Sequence, residues 1–449
     1  MLKKTLLFTT GLIIVFLSST LTRVDRTPYK ELDFYKKSIN EINQLLTKNH
    51  SPSIGDTLLI GFAQVNLTPS DLAPLAGYGN RRPKEMTGVH DSIYVNTTVI
   101  YNGKNKIAIV SADLLIIPPQ VTALLREKLF NTAWSVPEVF LSATHTHSSL
   151  GGWAPGLVGN MIAGTYDAKY PEFIANRIVA SIQMAEKRLN TGAWSFNELS
   201  IPSLINNRLV GTQGITDPNL KLMALKSGMK EGVHVFYGAH ATCLSGKNKQ
   251  MSRDYPGVFS DWVVNNTPLD FAVYSAGAVA SMGPETGARA GFDRSQFIGE
   301  EMAKQVALIQ HFGFSYQNQL NLSFLRIPLF LRHPMLKISE NWAVRPWVFN
   351  WAFGHSPLEI SMIQLNDLVM IGLPCDFSGE LAVELYAYAK SKNLNLILSS
   401  FNGGYAGYVP DDQWYDLEEY EPRSMSWYGY DNGAYFVEII KLLIDYSQP

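Results

Sequence analysis

The sequence predicts an α+β fold in which mixed and antiparallel β-sheets, built largely from hairpins, are surrounded by α-helices. Three observations predict it: strand-like runs that come in adjacent pairs around short polar turns, apolar stripes of helical spacing between those pairs, and no Ser/Gly/Pro linker, repeat or low-complexity run after residue 54. Strands joined by tight turns argue against a repeating βα barrel, whose parallel strands need helical crossovers. Of the 449 residues, 46% are apolar, 12% aromatic and only 17% charged, below the roughly 25% usual for soluble chains. A large core can be built from this composition, and intrinsic disorder is excluded. The 37 Lys and Arg against 39 Asp and Glu give a net charge of −2, without the basic excess of a nucleic-acid binder. Two cysteines exclude a disulfide framework and a thiolate-only zinc site, so a metal would be held mainly by His, Asp, Glu or Tyr.

In chain order, Lys3 and Lys4 precede an uncharged stretch, Thr5 to Thr22, closed by Arg23. That is just enough to cross a hydrocarbon layer of about 30 Å. Residues 1–22 are therefore expected to be a membrane anchor, or a signal peptide processed near Ser18-Ser19-Thr20, and either puts the body outside the cytoplasm, periplasmic or extracellular. In residues 23–54, Leu32, Tyr35, Ile39, Ile42 and Leu46 recur three and four apart, which reads as a stalk or a helix packed on the body. Residues 55–449 read as one body.

Within it, Tyr94 to Tyr101 and Lys106 to Ser111 flank Asn102-Gly103, a strong hairpin signal. Leu220 to Leu225 with Val233 to Tyr237, and Ile360 to Gln364 with Leu368 to Leu373 around Asn366-Asp367, read the same way. Ile174, Ile178, Ile182, Ala185 and Leu189 form a helical stripe, and Phe297 to Phe312 and Leu381 to Lys390 behave similarly.

The sharpest chemical feature is an apolar run, Val139 to Thr144, leading into His145-Thr-His147 and then Gly151-Gly152. Side chains two apart on a strand share a face, so both imidazoles are expected to point to one place, as a metal requires. Two histidines merely hydrogen-bonded at a strand end would look the same. His240 ends the run Val233 to Ala239, and Asp376 follows Leu368 to Leu373 through Pro374-Cys375, as a ligand or as the N-cap of the next helix. Tyr405 and Tyr408 lie after a further run, Leu394 to Ser399.

Taken together, Thr144-His145-Thr146-His147-Ser148, Asn207-Arg208, Ala239-His240, Pro374-Cys375-Asp376-Phe377, and Tyr405-Ala-Gly-Tyr408-Val with Tyr415, Tyr420-Glu421 and Tyr428-Gly429 resemble the catalytic domain of neutral/alkaline ceramidases, in order. The segments Ile60-Gly61-Phe62 and Thr87-Gly88-Val89-His90 are similar to that domain's start. The resemblance implies a zinc ion held by His145, His240, Asp376 in place of a glutamate, and Tyr408. It implies further that His147 and Arg208 work around a scissile amide. Asp for Glu keeps a hard oxygen ligand but shortens the arm by one methylene. The implied activity is hydrolysis of the amide of an N-acyl lipid, ceramide-like, by a metal-activated water, with the lipid or lipid-like amide as substrate and the membrane surface met through the N-terminal anchor. Trp153, Leu157, Met161 and Ile162 are candidate walls of an acyl channel, or ordinary packing.

The resemblance also shows departures. The family's catalytic serine aligns with Gly283, which has no hydroxyl, while Ser281 would share its face on an extended chain about 7 Å away, at a rise of about 3.3 Å per residue. Glu285 replaces the family's asparagine and is a candidate for proton transfer, or caps a loop. The family carries a further C-terminal β-sandwich, whereas this sequence stops twenty residues after Gly429. Cys243 and Cys375 sit beside proposed ligands and are expected to be neighbours, as a disulfide or as two buried thiols. A membrane-tethered protein that keeps zinc only as a structural element, and an amidohydrolase barrel, are the competing readings.

Overall fold

Alternation along the strands sets the layering. On Lys106–Ala112, Ile107 and Ile109 face a core shared with Leu368, Met370 and Ile397, whereas Ala108 and Val110 face Ile174, Ile178 and Ile182 of a helix. Buried on both faces, such strands read as continuous apolar runs instead of alternating ones. The computed structural model describes residues 2–48, 53–82, 84–130, 132–135 and 138–447.

An eight-stranded sheet runs in the order Phe271–Ala276, Lys230–Tyr237, Asn219–Ser227, Asn190–Ser200, Leu59–Asn66, Tyr94–Tyr101, Lys106–Ala112, Val139–Ala143. Its pairs are antiparallel except the two outermost, which are parallel. A five-stranded sheet, Ser53–Ile54, Asn321–Leu329, Leu358–Leu365, Leu368–Gly372 and Asn395–Ser399, ends likewise in a parallel pair. The two sheets pack through Ile60, Phe140, Trp194 and Phe236 against Ile363, Leu365 and Met370. Helices Pro119–Leu129, Lys169–Lys187, Tyr255–Asn266 and Phe292–Phe312 cover the first sheet's outer face; Gly379–Ser391 and Asn432–Tyr446 cover the second's. The protein is thus an α+β sandwich of four layers.

All three expected hairpins form, and the predicted turn residues explain why. Asn102 Oδ1 accepts the Lys104 and Asn105 backbone N–H groups, while Gly103 and Asn366 adopt φ of 91° and 54°. The three helical stripes lie on Lys169–Lys187, Phe292–Phe312 and Gly379–Ser391, except that Leu189 of the first falls two residues past the helix end. The helix Asp33–Lys48 lies against Asn321–Leu329 with Ile42 buried. The expected end of that segment, residues 49–52, lies outside the described residues.

The expected anchor or signal peptide at residues 1–22 finds no support as a membrane-spanning segment. Leu2–Thr20 is a helix, but no helix among the described residues is long and apolar enough to cross a membrane. Lys3 and Lys4 occupy its first turn, and Thr5, Thr9, Thr10, Ser18, Ser19 and Thr20 leave Leu12 to Leu17 as its longest apolar run. The following strand, Leu21–Arg23, pairs with Trp342–Val344, and the Trp347 Nε1–H donates to the Ser19 carbonyl at 2.9 Å.

Candidate active site

The chemistry-bearing residues leave the carboxyl ends of the parallel strand pairs, where open α/β sheets place ligands. His145 and His147 follow Val139–Ala143, His240 follows Lys230–Tyr237, and Asp376 and Tyr408 follow Leu368–Gly372 and Asn395–Ser399. The edge strands of the large sheet also approach each other, with Ser142 Oγ 2.7 Å from Ser275 Oγ, which brings the first two loops side by side.

The strand ends at Ala143, so His145 and His147 do not share a strand face. Instead His145 adopts φ of 62°, a conformation uncommon for a side chain larger than glycine and typical of functional sites. The turn still brings the rings together, with the two Nε2 atoms 3.2 Å apart. Gly151 and Gly152 hold this loop down: a Cβ on Gly151 would lie 2.1 Å from the Ala163 carbonyl oxygen, and one on Gly152, at φ of 72°, would lie 2.4 Å from the Tyr170 ring.

His145 Nδ1 lies 2.7 Å from the Leu115 carbonyl and His240 Nδ1 3.0 Å from that of Met282. With Nδ1–H donating there, each Nε2 lone pair faces the cluster, the usual arrangement behind a metal-ligating histidine. His240 Nε2 is 3.1 Å from Asp376 Oδ1 and 3.1 Å from Tyr408 Oη, and His145 Nε2 is 3.4 Å from Asp376 Oδ1. Ligands at about 2.0–2.1 Å around a tetrahedral ion stand about 3.3 Å apart. The three separations given by His145, His240, Asp376 and Tyr408 are of that size, and the Nε2 atoms of His145, His147 and His240 lie within 4.8 Å of one another, so either set could hold a metal. Behind Asp376, the Tyr405 hydroxyl donates to Oδ2 at 2.7 Å.

Burial controls the charge state. It holds the His145 imidazole down to about 3 and those of His147 and His240 well below the ordinary range, so all three are neutral, the ligating form. Burial also pushes the Asp376 carboxyl up, opposed by His145 and the Tyr405 hydrogen bond, and raises the Tyr405 and Tyr408 phenols. His147 differs from the other two: its Nδ1 is buried with no hydrogen-bond partner.

Arg208 reaches the cluster from Ile205–Asn207, a strand paired with Met282–Pro284. Its Nη2 lies 3.0 Å from His240 Nε2 and donates to Tyr408 Oη at 3.3 Å. Its Nε donates to Glu421 at 2.8 Å. Burial opposes the guanidinium's charge, but Glu421 and Tyr408 outweigh it and raise its pKa. Glu421 belongs to the Tyr420-Glu421 segment of the resemblance, but the sequence assigns it no role. It sits on a π-helical turn, Tyr420–Met425, and only the need of a buried arginine for a carboxylate points to it.

The structure does not bring Glu285 to this cluster. Its side chain is exposed, accepts from Asn206 Nδ2 and the Gly287 N–H, and these bonds hold its carboxyl below the usual range. A Cβ at Gly283 would lie 3.1 Å from Asn206 Oδ1 and 3.3 Å from Arg208 Cβ, beside the arginine's stem. Ser281 is buried at φ of 64° with its Oγ unpartnered. Cys243 and Cys375 are both free and buried.

A cavity of about 1060 Å³ opens onto His145, His147, Arg208 and Tyr408. Its walls include Trp153, Ile162, Val348, Phe349 and Trp427, so Trp153, Met161 and Ile162 of the expected channel do line it. Leu157 instead points outward, 63% exposed.

Residues 59–280 match the family model of the neutral/alkaline non-lysosomal ceramidase N-terminal region, a segment that contains His145, His147, Arg208 and His240. Over that segment, just under half of its length, the chain matches the neutral/alkaline ceramidase family. It is 26% identical over 204 residues to the neutral ceramidase of Pseudomonas aeruginosa, a match covering 41% of this chain and 30% of that relative's length. The crystal structure of neutral ceramidase from Pseudomonas aeruginosa superposes with a TM-score of 0.75 at 19% identity, over 88% of this chain and 75% of the other. A ceramidase complexed with C2 gives 0.75 at 18%, with the same coverage. The shared fold thus extends beyond the segment matched by sequence.

Proposed function

We propose that this protein is a zinc-dependent hydrolase that cleaves the amide bond of an N-acyl lipid of the ceramide type. The observation that carries the reading is the approach of His145 Nε2, His240 Nε2, Asp376 Oδ1 and Tyr408 Oη at the spacing of a tetrahedral ligand set, on the wall of a largely apolar cavity. When bound there, zinc supplies Lewis-acid polarisation of a carbonyl and activation of water near neutral pH.

The chain's own residues carry the rest. Hydrolysis adds a hydroxyl to the acyl carbon, breaks the C–N bond and delivers a proton to the leaving nitrogen. Arg208 holds its Nη2–H toward Tyr408, where it can donate to the oxygen that gains negative charge as the carbonyl carbon becomes tetrahedral. His147, neutral and exposed to the cavity, can take the water's proton and return it to the amine. Trp153, Ile162, Val348 and Phe349 exclude water and accommodate an acyl chain.

Metal analysis combined with a hydrolysis screen over N-acyl amides of varied chain length tests this. About one zinc per chain and turnover of long-chain substrates are expected, both lost in His145→Ala; normal metal content in that variant sinks the ligand set. One observation favours a second reading, zinc kept as a structural element without turnover: neither Gly283 nor Glu285 brings a catalytic group to the cluster. Zinc without turnover of any amide in the screen would select it.

A further inference from the structure

Two short helices stand over the cavity, Gly156–Ala163 and Pro346–Phe353, and they abut: a Cβ on Gly156 would lie 3.4 Å from the Ala352 carbonyl oxygen. Their inner residues Val158, Ile162, Val348 and Phe349 line the cavity. Leu157, Trp347 and Trp351 turn outward, and Met161, one turn after Leu157, lies at the cavity's mouth; all four are exposed, at 63%, 57%, 70% and 46%. Trp342 on the adjoining strand is 46% exposed. The inner faces thus line the cavity, while five large apolar side chains on two abutting helices and the adjoining strand stand in water around its rim, which a monomer rarely tolerates without use.

The chemistry of the rim says what covers it. Three exposed tryptophans within ten residues is the composition of the membrane–water interface, where the indole body is apolar and its N–H wet. Arg23 and Arg345 flank Trp342 and Trp347, both exposed, and neither pairs with a carboxylate among the described residues. A second copy of this chain seated on the rim would bring these arginines against each other, whereas anionic headgroups complement them. We propose that Leu157, Met161, Trp342, Trp347 and Trp351, with Arg23 and Arg345, form a docking surface for an anionic lipid bilayer, lying at headgroup depth without crossing. The cavity then opens toward the acyl chains. The proposal rests on the rim alone and is independent of the reaction.

The experiment is co-sedimentation of the full-length protein with phosphatidylcholine vesicles with and without phosphatidylglycerol, read together with quenching of tryptophan fluorescence by brominated acyl chains. Wild type is expected to partition onto the vesicles, more strongly with phosphatidylglycerol and less at high salt, and to be quenched. Trp347→Ser with Trp351→Ser is expected to weaken partitioning about tenfold or more, with circular dichroism and melting unchanged. Leu157→Ser with Met161→Ser provides an independent variant should the first fail to fold. A wild type that stays in the supernatant, a folded double variant that partitions like wild type, or a dimer that the tryptophan changes dissociate each overturns the proposal.

Discussion

Arg208 and Glu421, 213 residues apart in the chain, form an ion pair with Nε 2.8 Å from Oε1, and the second carboxylate oxygen accepts the Ser281 backbone N–H at 2.7 Å. One carboxylate therefore fixes both the guanidinium and the loop whose Met282 carbonyl orients His240. Glu421→Ala is expected to leave a largely buried cation unpaired. A fully buried broken pair costs about 3–5 kcal/mol, and because Arg208 keeps 29% of its side chain exposed, about 2–3 kcal/mol is expected. Chemical denaturation measures this; a loss below about 0.5 kcal/mol would mean that the pair is as weak as a surface one. Glu421→Gln, which keeps an acceptor for the guanidinium, is expected to retain metal while lowering kcat more than it raises KM.

The three histidines should separate by metal content. His145 and His240 each have Nδ1 fixed by a backbone carbonyl, whereas His147 Nδ1 has no partner. His240→Ala is expected to lose the metal, because supporting hydrogen bonds of this kind are worth about 10–100-fold in affinity and a deleted ligand costs more. His147→Ala is expected to keep it and lose turnover. Equal metal loss in both variants would make the set three histidines in place of His145, His240, Asp376 and Tyr408.

Much of this was legible in the sequence, for identifiable reasons. Asn102-Gly103 and Asn366-Asp367 bring their turn geometry with them, and the helical stripes bury the faces they predict. The loops carrying His145, His240, Asp376 and Tyr408 were legible because each follows an apolar run that is a strand. The pairing of Glu421 with Arg208 was hidden because a π-turn follows no simple spacing. Glu285 was misplaced because Met282–Pro284 pairs with Ile205–Asn207, so a carboxylate two residues from Gly283 is carried to Asn206 at the surface. A pairing between segments so distant leaves no local pattern.

Asp113 gives a pH dependence away from the site. It is buried, accepts the Tyr94 backbone N–H at 2.8 Å, and burial pushes its carboxyl up to about 7 despite Arg253. Its folded pKa exceeds the unfolded value of about 3.9, so between these limits the folded state binds the extra proton. The stability contributed is fully present below about pH 4 and lost as pH rises through about 7, with a slope of at most about 1.4 kcal/mol per pH unit. Asp113→Asn keeps the acceptor and is expected to gain stability relative to wild type between pH 5 and pH 7.5. A difference that stays flat over that range would assign the proton elsewhere.

Gly152→Ala tests how the His-x-His loop is held. At φ of 72° a side chain is strained, and its Cβ would meet the Tyr170 ring at 2.4 Å, so the loop or the helix Lys169–Lys187 must shift. A loss of about 2–4 kcal/mol in stability is expected, on the scale of overpacking plus backbone strain. Because Gly152 N–H also donates to the Ala163 carbonyl, the shift should reach the helix that walls the cavity and raise KM for long-chain amides more than for short ones. Unchanged stability and unchanged KM would mean that the loop is held by His145 and its neighbours alone.

Gly283→Ser addresses the departure from the family directly. Gly283 has no left-handed φ, and a Cβ there meets Asn206 Oδ1 at 3.1 Å and the Arg208 stem at 3.3 and 3.4 Å, so serine fits after a shift of a few tenths of an ångström. Its hydroxyl would find Asn206 Oδ1 as an acceptor, beside the aliphatic stem of Arg208. If the reaction runs on His147 and Arg208 around the ligand set, the added hydroxyl has nothing to contribute, and kcat/KM is expected to change less than about threefold, under about 1 kcal/mol in the barrier. Steady-state kinetics on the amide that wild type turns over best decide the matter. A large gain from Gly283→Ser over a wild type that barely turns over would identify a site that has lost its nucleophile and would overturn a reaction run on His147 and Arg208 alone.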